Sequence, residues 1–362
     1  MTANPQSGPI VQSDSLPGLL GLMDKVTGSR SVFGDVLQVV VVLDASAVQR
    51  ELRWRLARRK DEKARTDLHE AIVAGTILPV APLFLEAEIE EHFADISEQE
   101  AVSLARVREE WELLRPLILF YDPLPEERPD NCVDPDDVAY LHTLRQLDAD
   151  FVLTLDRHFT MMGAPVMPTG LDRTLRDYAR SSSVVLSVKL GSGFAIVVGS
   201  QTVTALAKLI ADCARKLPPF VKLLLGIGVG IALLHPDSRR KIVDFGKSLT
   251  LNLKTVVLTS LSSEIVKSVA SSAQQANSLQ KDIAAVLPSK GKLTAISCAC
   301  RVCIKAEGPL SVTEIATRIQ QSGYTSRSKN FAAYVGRILR RDRRFVMNSS
   351  GLWLLRARRA AA

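Results

Sequence analysis

The chain has few of the residues that build disulfide frameworks or zinc sites. It contains five cysteines, an odd number, and its first 34 residues show no secretory signal, so a disulfide-stabilised extracellular fold is not expected. Cys298, Cys300 and Cys303 are close in sequence, but no fourth Cys or His nearby completes a tetrahedral zinc site. We interpret these three residues as cysteines in the core of a helix.

Nucleophilic histidine motifs and long apolar segments are also missing. His142 and His158 have no Cys or Ser partner at a recognisable spacing, so the sequence does not support nucleophilic catalysis, and His158 is interpreted as a surface residue. Residues 220–234 are mostly apolar, but a bilayer span needs about 20 such residues, and this run contains Lys222. A buried or re-entrant helix is favoured there, and membrane association is the less favoured alternative.

What is present indicates a globular chain of roughly two or three domains. The 362 residues are 46% hydrophobic and 23% charged, and the net charge of +7 is modest. Acids concentrate in residues 86–112 and 122–137, whereas the C-terminus and the helix predicted after the first strand, at Arg50 to Lys60, are rich in basic residues. The run from Arg50 to Lys60 is interpreted as a solvated face, or as a contact for a nucleic-acid backbone. Residues 1–34 are predicted to form a flexible leader, and a cytoplasmic location is expected.

Two apolar segments of the chain each end in an aspartate. Val39–Leu43 precedes Asp44, and Phe151–Leu155 precedes Asp156. Short Val-rich runs are typical of strands buried on both faces of a parallel sheet, where the working site lies beyond the carboxyl ends of the strands. The pattern predicts an α/β fold with an acidic metal site at that edge.

More acids lie at predicted helix positions between these two strands. Glu86 and Glu88 belong to a carboxylate cluster in one predicted helix. The next helix has an opening signature in which Asp134 suits the N-cap, Pro135 the first helical position, and Asp137 an acidic variant of the capping box. The simplest alternative is that these acids cap helices or form solvated faces.

This order of strands, helices and acids resembles the PIN-domain nuclease family over residues 39–166. The most specific segments are Asp134-Pro-Asp-Asp-Val-Ala-Tyr-Leu and Asp150-Phe-Val-Leu-Thr-Leu-Asp. The resemblance implies a parallel-sheet domain with helices on both faces at residues 35–180. It implies four catalytic metal ligands, with Glu86 as a competing register for the second: Asp44, Glu88, Asp137 and Asp156. Its accessory candidates are Ser46, Asp134, Asp136 and Thr154.

The activity that this resemblance implies is hydrolysis of RNA phosphodiester bonds with Mg²⁺ or Mn²⁺ as the cofactor. The residue types agree, because hard divalent cations prefer oxygen ligands, and because converging carboxylates without a cation would raise each other's pKa values. Two alternatives stay open. One is a structure-specific DNA nuclease, and the other is a non-catalytic adaptor that uses a PIN-like fold to bind nucleic acid.

The C-terminal segment, residues 293–362, resembles a winged-helix domain. A capping signal at Ser311 and Glu314 opens one predicted helix, residues 330–340 form a second, and a hairpin follows. Such folds bind nucleic acid or protein, and the density of arginine favours nucleic acid, with these candidate contacts: Arg337, Arg340 and Arg344. Because the metal ligands all precede residue 160, we expect this module to be separable from catalysis.

The middle region, residues 181–292, differs in composition from both flanking segments. Charge is sparse, Ser and Val are frequent, and residues 261–287 are predicted to form a long amphipathic helix. We expect a mostly helical oligomerisation or sensor module there, and hence a homo-oligomer. The sequence indicates no chemistry for this region.

Overall fold

The computed structural model describes eight stretches of the chain: residues 16–20, 36–59, 61, 64–128, 130–197, 263–288, 294–306 and 308–359. They belong to two compact units, one of residues 1–37, 73–76 and 172–285, and the other of residues 38–72, 77–171 and 286–362. Most of the predicted leader and the whole apolar run at 220–234 lie outside the described residues. Within the described part, no helix is long and apolar enough to cross a membrane.

A parallel sheet forms the centre of the second unit. Its strands are β1 (Val39–Leu43), β2 (Ile77–Pro82), β3 (Leu119–Tyr121) and β4 (Phe151–Leu153). Their order is β4-β1-β2-β3, and each neighbouring pair is parallel. Every residue of β1, β2 and β4 is buried, as expected for strands covered on both faces. The predicted α/β fold with a parallel sheet is confirmed.

Helices flank this sheet and connect its strands. They are α1 (Ala45–Arg53), α2 (Asp67–Val73), α3 (Phe84–Glu91), α4 (Phe93–Gln99), α5 (Leu104–Leu114), α6 (Val138–Gln146) and α7 (His158–Met161). A π-helical turn extends α1 through Trp54–Arg58, and a 3₁₀ turn at Arg115–Leu117 leads into β3. The apolar stripe of α6 faces the core, since Leu141, Leu144 and the following Leu147 are buried.

Two long helices, α8 (Leu171–Val197) and α9 (Ser263–Val286), lie mostly in the first unit. The amphipathic helix predicted at residues 261–287 corresponds to α9. In α8, the Ser183 and Ser187 hydroxyls are buried and donate to backbone carbonyls one helical turn earlier. This local bonding explains how a serine-rich helix buries polar side chains.

The C-terminal segment returns to the second unit. It contains α10 (Ala295–Lys305), α11 (Val312–Gln321), α12 (Phe331–Arg341), β5 (Phe345–Met347), β6 (Trp353–Leu355) and β7 (Ala357–Arg359). The predicted capping box is present, because Ser311 and Glu314 each accept the other's backbone N–H. The predicted hairpin is present as the antiparallel pair β5-β6. Cys298 and Cys300 are buried in α10, as the sequence indicated.

The C-terminal segment also contributes to the sheet itself. Strand β7 pairs antiparallel with β3, which makes it a fifth strand that the sequence did not predict. Arg301 on α10 donates to Asp150 Oδ1 at 2.6 Å, and Arg344 donates to the carbonyl of Gln146 at the end of α6. These contacts join the C-terminal segment to the sheet, whereas our expectation that it is separable from catalysis stays a prediction.

Candidate metal centre

The candidate site lies at the carboxyl ends of β1 and β4. These strands are neighbours, with Leu43 opposite Leu153, and the Asp44 N–H donates to the Leu153 carbonyl at 3.1 Å. In the strand order β4-β1-β2-β3, the next two strands after β1 are added on one side of β1, and β4 is added on its other side. The order of the strands therefore reverses between β1 and β4. Ligands of open parallel sheets bind in the crevice at such a switch point.

Asp44 is held in place by three hydrogen bonds at the start of α1. Its Oδ1 accepts from the Ala45 N–H at 2.8 Å, which makes Asp44 the N-cap of the helix. Its Oδ2 accepts from the hydroxyls of Ser46 at 2.6 Å and Thr154 at 2.7 Å. The two predicted accessory hydroxyls therefore orient this carboxylate, which is 6% exposed.

The same hydroxyls shape the turn after β4. Ser46 Oγ accepts from the Leu155 N–H at 2.9 Å, and Thr154 Oγ1 accepts from the Asp156 N–H at 2.8 Å. Asp156 Oδ1 accepts from the His158 N–H at 2.9 Å at the start of α7. This chain of bonds holds Asp156 beside the buried acids while leaving it exposed to solvent.

The start of α6 differs from its prediction. The helix begins at Val138, and Asp134 does not cap it, because Asp134 Oδ1 accepts from the Asp136 N–H at 3.0 Å and closes a turn over Pro135. Asp137 occupies the N-cap position with helical backbone angles and no side-chain capping bond. The predicted capping box of Asp134 and Asp137 is therefore wrong, and the Asp137 carboxylate makes no hydrogen bond that caps the helix.

Asp137 is a buried carboxylate without compensation. Its Oδ2 makes no hydrogen bond with any described residue, and the His158 Nδ1 atom lies 3.7 Å away. The pKa of Asp137 is raised to about 6, first by burial and then by the charges of Asp134, Asp44 and Asp156, while His158 opposes the rise. A buried acceptor without a partner costs free energy, so this oxygen favours a ligand that supplies positive charge.

Glu88 reaches the same group of acids from α3. The Tyr140 hydroxyl, which belongs to α6, donates to Glu88 Oε2. Burial raises the pKa of Glu88, and the charges of Asp44 and Asp136 add to that rise. The competing residue Glu86 instead pairs with Arg115, whose Nε lies 2.6 Å from Glu86 Oε1. The structure thus brings Glu88, rather than Glu86, to the predicted acids.

The sequence favoured a surface role for His158 over a contact with the scissile phosphate and did not predict a metal ligand there. Ligand atoms of Asp134, Asp137 and His158 all lie within 4.8 Å of one another, which makes them a candidate metal group within the described residues. His158 Nδ1 is also 3.3 Å from Asp156 Oδ2. The available signal was the position of His158, two residues after an acid at the end of a strand. Its side chain is 37% exposed, so one edge faces solvent and the other faces the acids.

The donor chemistry fits a divalent cation. Carboxylate oxygens dominate the cluster, and these are the ligands that Mg²⁺ and Mn²⁺ prefer, whereas the single imidazole is a ligand that Zn²⁺ and Fe²⁺ also accept. Asp137 Oδ2 is a buried acceptor with no hydrogen-bond donor among the described residues. The residues present therefore fit a metal ion, and its identity is a matter for measurement.

The predicted nucleic-acid contacts divide into two groups. Arg337 and Arg340 are exposed on α12 and keep that prediction. Arg344 does not, because it forms a fork with Asp342, with Nη2 at 2.6 Å from Oδ2, and also donates to the Gln146 carbonyl. The assignment of Arg344 to a phosphate is therefore corrected to an internal contact between the C-terminal segment and α6.

Comparison of the chain with protein-family models, curated proteins and solved structures found no match. The likenesses to PIN-domain nucleases and to winged-helix domains remain interpretations of sequence pattern. The functional assignment rests on the acidic cluster and on the residues that orient it.

Proposed function

We propose that this chain is a divalent-metal-dependent endoribonuclease whose site is formed by Asp44, Glu88, Asp137 and Asp156. One observation carries the proposal: Asp137 Oδ2 is buried and unpartnered among the described residues, with acids on several sides and only His158 to oppose them. Burying such a carboxylate is costly unless a cation compensates it. In a metal-dependent nuclease, a buried carboxylate of this kind would serve to bind the metal ion.

The candidate ligands fall into two sets that share Asp137. The PIN-domain resemblance favours Asp44, Asp137 and Asp156 with Glu88 beside them, whereas proximity favours Asp134, Asp137 and His158. Either set would hold one Mg²⁺ or Mn²⁺ ion. Together the two sets contain enough ligands for two ions. When bound, such a cation lowers the pKa of a water and neutralises charge on the phosphodiester.

The chain's own residues position the reacting groups. Ser46 and Thr154 hold the Asp44 carboxylate in one orientation through Oδ2. Tyr140 holds Glu88 through Oε2, which leaves Glu88 Oε1 to accept a proton from the attacking water. Burial raises the pKa of Glu88, which makes its carboxylate a stronger proton acceptor than an exposed one.

The test is a cleavage assay with the purified full chain. Labelled single-stranded RNA, structured DNA and duplex DNA are incubated with Mn²⁺, with Mg²⁺ or with EDTA. We expect cleavage of RNA that needs the metal and is lost in Asp44→Asn and Asp137→Asn. The matched control is Asp95→Asn, which neutralises an exposed acid on α4, 64% exposed, and should cleave like the wild type.

The two alternatives are outcomes of the same assay. Cleavage of structured DNA without cleavage of RNA would make the chain a DNA nuclease with the same site. Binding of nucleic acid without cleavage under any metal would support the adaptor and refute the nuclease. Cleavage that survives both EDTA and the two Asn variants would indicate a contaminating enzyme and would leave the acids without the proposed role.

A further inference from the structure

Three aromatic rings stack at the start of α12. The ring of Tyr324 lies 5.7 Å from that of Phe331 at an interplanar angle of 24°, and Phe331 lies 6.1 Å from Tyr334 at 25°. Phe331 is buried, whereas both tyrosines are half-buried. The stack is thus anchored in the core by its middle ring and carries a tyrosine at each end that reaches the surface.

The backbone holds this stack in a defined place. Gly323 has a φ of +88°, which favours glycine, and this turn at the end of α11 delivers Tyr324. Asn330 caps α12, since its Oδ1 accepts from the Ala333 N–H at 3.0 Å, and Phe331 is the first helical residue. The rings are therefore presented by an ordered turn and a capped helix.

The segment between Glu314 and Asp342, which carries the stack, has charge of one sign. Residues 315–341 contain six basic residues and no Asp or Glu: Arg318, Arg327, Lys329, Arg337, Arg340 and Arg341. All six are exposed, and the structure gives none of them an ion pair with a described residue. Arg301 and Arg344 in the same C-terminal segment differ, because each has an acidic partner at 2.6 Å.

Helix geometry places part of this charge beside the rings. Tyr334, Arg337 and Arg341 are spaced by three and four residues, so they follow one another along one face of α12. Arg327 and Lys329 lie in the loop between Tyr324 and the helix. Like charges at this spacing repel each other, and an anionic partner would remove that repulsion.

We propose that this surface, which we call the aromatic-basic surface (Tyr324, Arg327, Lys329, Tyr334, Arg337 and Arg341), binds single-stranded nucleic acid, with RNA as the ligand. Bases of a single strand stack on aromatic side chains while Arg and Lys bind the phosphates. A duplex keeps its base faces stacked internally, so it can use the charges but not the rings. An acidic protein would also use the charges without requiring planar rings.

This inference deepens the proposed nuclease, because it names unpaired RNA as the substrate class, and that link rests on the proposed function. The binding itself does not depend on cleavage. Every base has an aromatic face, so stacking tolerates many sequences. We therefore expect selection by strandedness rather than by sequence.

The test measures binding by the full chain in EDTA, so that cleavage cannot interfere. Fluorescence anisotropy with a labelled 12-nucleotide RNA of mixed sequence is compared between wild type, Tyr324→Leu/Tyr334→Leu and Tyr324→Phe/Tyr334→Phe. Leucine preserves apolar packing against Phe331 but removes the rings, whereas phenylalanine retains them. We expect leucine to weaken binding about 5- to 150-fold per stacked base, and phenylalanine to bind like wild type.

Charge is tested separately with Arg337→Gln/Arg341→Gln and a matched control, Arg108→Gln, an exposed arginine on α5. Each lost phosphate contact should reduce the slope of log affinity against log salt by about 0.7. The control should leave the slope unchanged. Circular dichroism melting of every variant distinguishes lost binding from lost folding, and any variant with an altered melt is replaced by the single substitutions.

Several results would overturn the proposal. Equal affinity of the leucine and phenylalanine variants would remove the rings from it, and equal affinity for a hairpin duplex or for polyglutamate would reduce the surface to nonspecific charge. Single-stranded DNA binding as tightly as RNA would overturn the assignment of RNA as the ligand. Wild type that binds RNA in this way but never cleaves it would refute the proposed nuclease and leave the aromatic-basic surface standing.

Discussion

Two groups of buried carboxylates in the same compact unit differ in how their charge is compensated. The first surrounds Glu110 on α5, which is fully buried. Arg55 Nη1 lies 2.7 Å and Arg106 Nη2 2.6 Å from its oxygens, and Arg59 contributes at 3.6 Å. Three guanidinium groups therefore neutralise one carboxylate inside the protein.

The second group is the candidate metal centre, where no arginine or lysine of the described residues forms an ion pair with Asp44, Glu88, Asp137 or Asp156. His158 is the basic side chain within 4 Å of Asp137 and Asp156. Burial and the neighbouring acids raise the pKa values of Asp137 and Glu88. The Glu110 carboxylate has cationic partners within the protein, whereas the acidic centre has no arginine or lysine partner among the described residues.

The Glu110 group also shows the role of one residue in the basic run at Arg50 to Lys60. Arg55 was expected on a solvated face or on a nucleic-acid backbone, but its side chain is 9% exposed and pairs with Glu110. It also lies 3.7 Å from Glu51 and 3.3 Å from His69 Nδ1. Arg55 is therefore a structural ion-pair residue.

The largest expected effect comes from breaking the compensated group. Glu110→Gln removes the charge that Arg55 and Arg106 face, and removing one partner of a buried pair costs about 3–5 kcal/mol. Urea unfolding of the full chain measures the loss. Glu109→Gln is the matched control, because Glu109 contacts Arg106 at 3.1 Å from an exposed position, 65% accessible, and such pairs contribute about 0–1 kcal/mol. Similar losses in both variants would contradict the distinction between the two groups.

Breaking the uncompensated group should instead remove activity. Asp137→Asn preserves side-chain size but removes charge from the site, so we expect RNA cleavage to fall at least a hundredfold, about 3 kcal/mol of transition-state stabilisation. Asp134→Asn should cost less, because its backbone turn bond to Asp136 can be made by an amide oxygen. Initial rates at saturating Mn²⁺ measure both. A larger loss in Asp134→Asn would move the principal ligand from Asp137 to Asp134.

Metal should stabilise the acidic centre and leave the arginine-compensated group unaffected. At a free Mn²⁺ concentration of ten times Kd, binding to the folded state alone adds about 1.4 kcal/mol to the free energy of unfolding. Wild type and Glu109→Gln should show this gain in thermal melts, and Asp137→Asn should lose most of it. Equal stabilisation of wild type and Asp137→Asn would place the metal elsewhere.

The smallest expected effect is the pH dependence of metal-free stability, in which the two regions have opposite signs. The pKa of Asp137 is raised from 3.8 to about 6, so its contribution is present below pH 4 and is lost as pH rises through 6. Burial and Arg55 lower the pKa of His69 from 6.5 to about 3, so its contribution is present above pH 6.5 and is lost as pH falls towards 3.

Urea unfolding between pH 4 and 7 separates these two contributions. Relative to wild type, Asp137→Asn should gain stability as pH rises, because it no longer ionises a buried carboxyl group. His69→Gln should gain relative to wild type as pH falls, because it has no imidazole to protonate. A pKa difference of one unit corresponds to about 1.4 kcal/mol, and screening by solvent reduces the effect of the full shifts, so we expect differences of about 1–2 kcal/mol across this range. Parallel curves for wild type and both variants would show that neither group titrates as its surroundings indicate.

Local sequence determined much of the framework that carries the site. The run Val39–Leu43 forms β1 with the bounds that its apolar pattern predicted, and Asp44 follows it directly. The Ser311–Glu314 capping box was predicted by the same kind of reasoning. Such features depend on residues within a few positions of one another, so their physics can be evaluated from neighbours in sequence.

Strands β2, β3 and β7 were not predicted. Pro79 lies inside β2, a central strand where proline is unusual, and β3 and β7 have only three residues each. The proline in β2 and the shortness of β3 and β7 make the strand signal in the sequence weak. The pairing of β1 with β2, of β2 with β3 and of β3 with β7 joins segments distant in sequence and makes these segments strands.

The sequence by itself determined that acids follow two buried strands, whereas the tertiary structure decided which side chains join them. Tyr140 reaches across 52 residues to hold Glu88, Thr154 reaches across 110 to hold Asp44, and Arg115 takes Glu86 away from the site. The predicted Asp134–Asp137 capping pair is absent, since Asp134 accepts from the Asp136 N–H and Asp137 makes no capping bond. A carboxylate's role depends on whether a donor or cation meets it, and for Glu86, Glu88 and Asp44 a decisive donor comes from a segment distant in sequence.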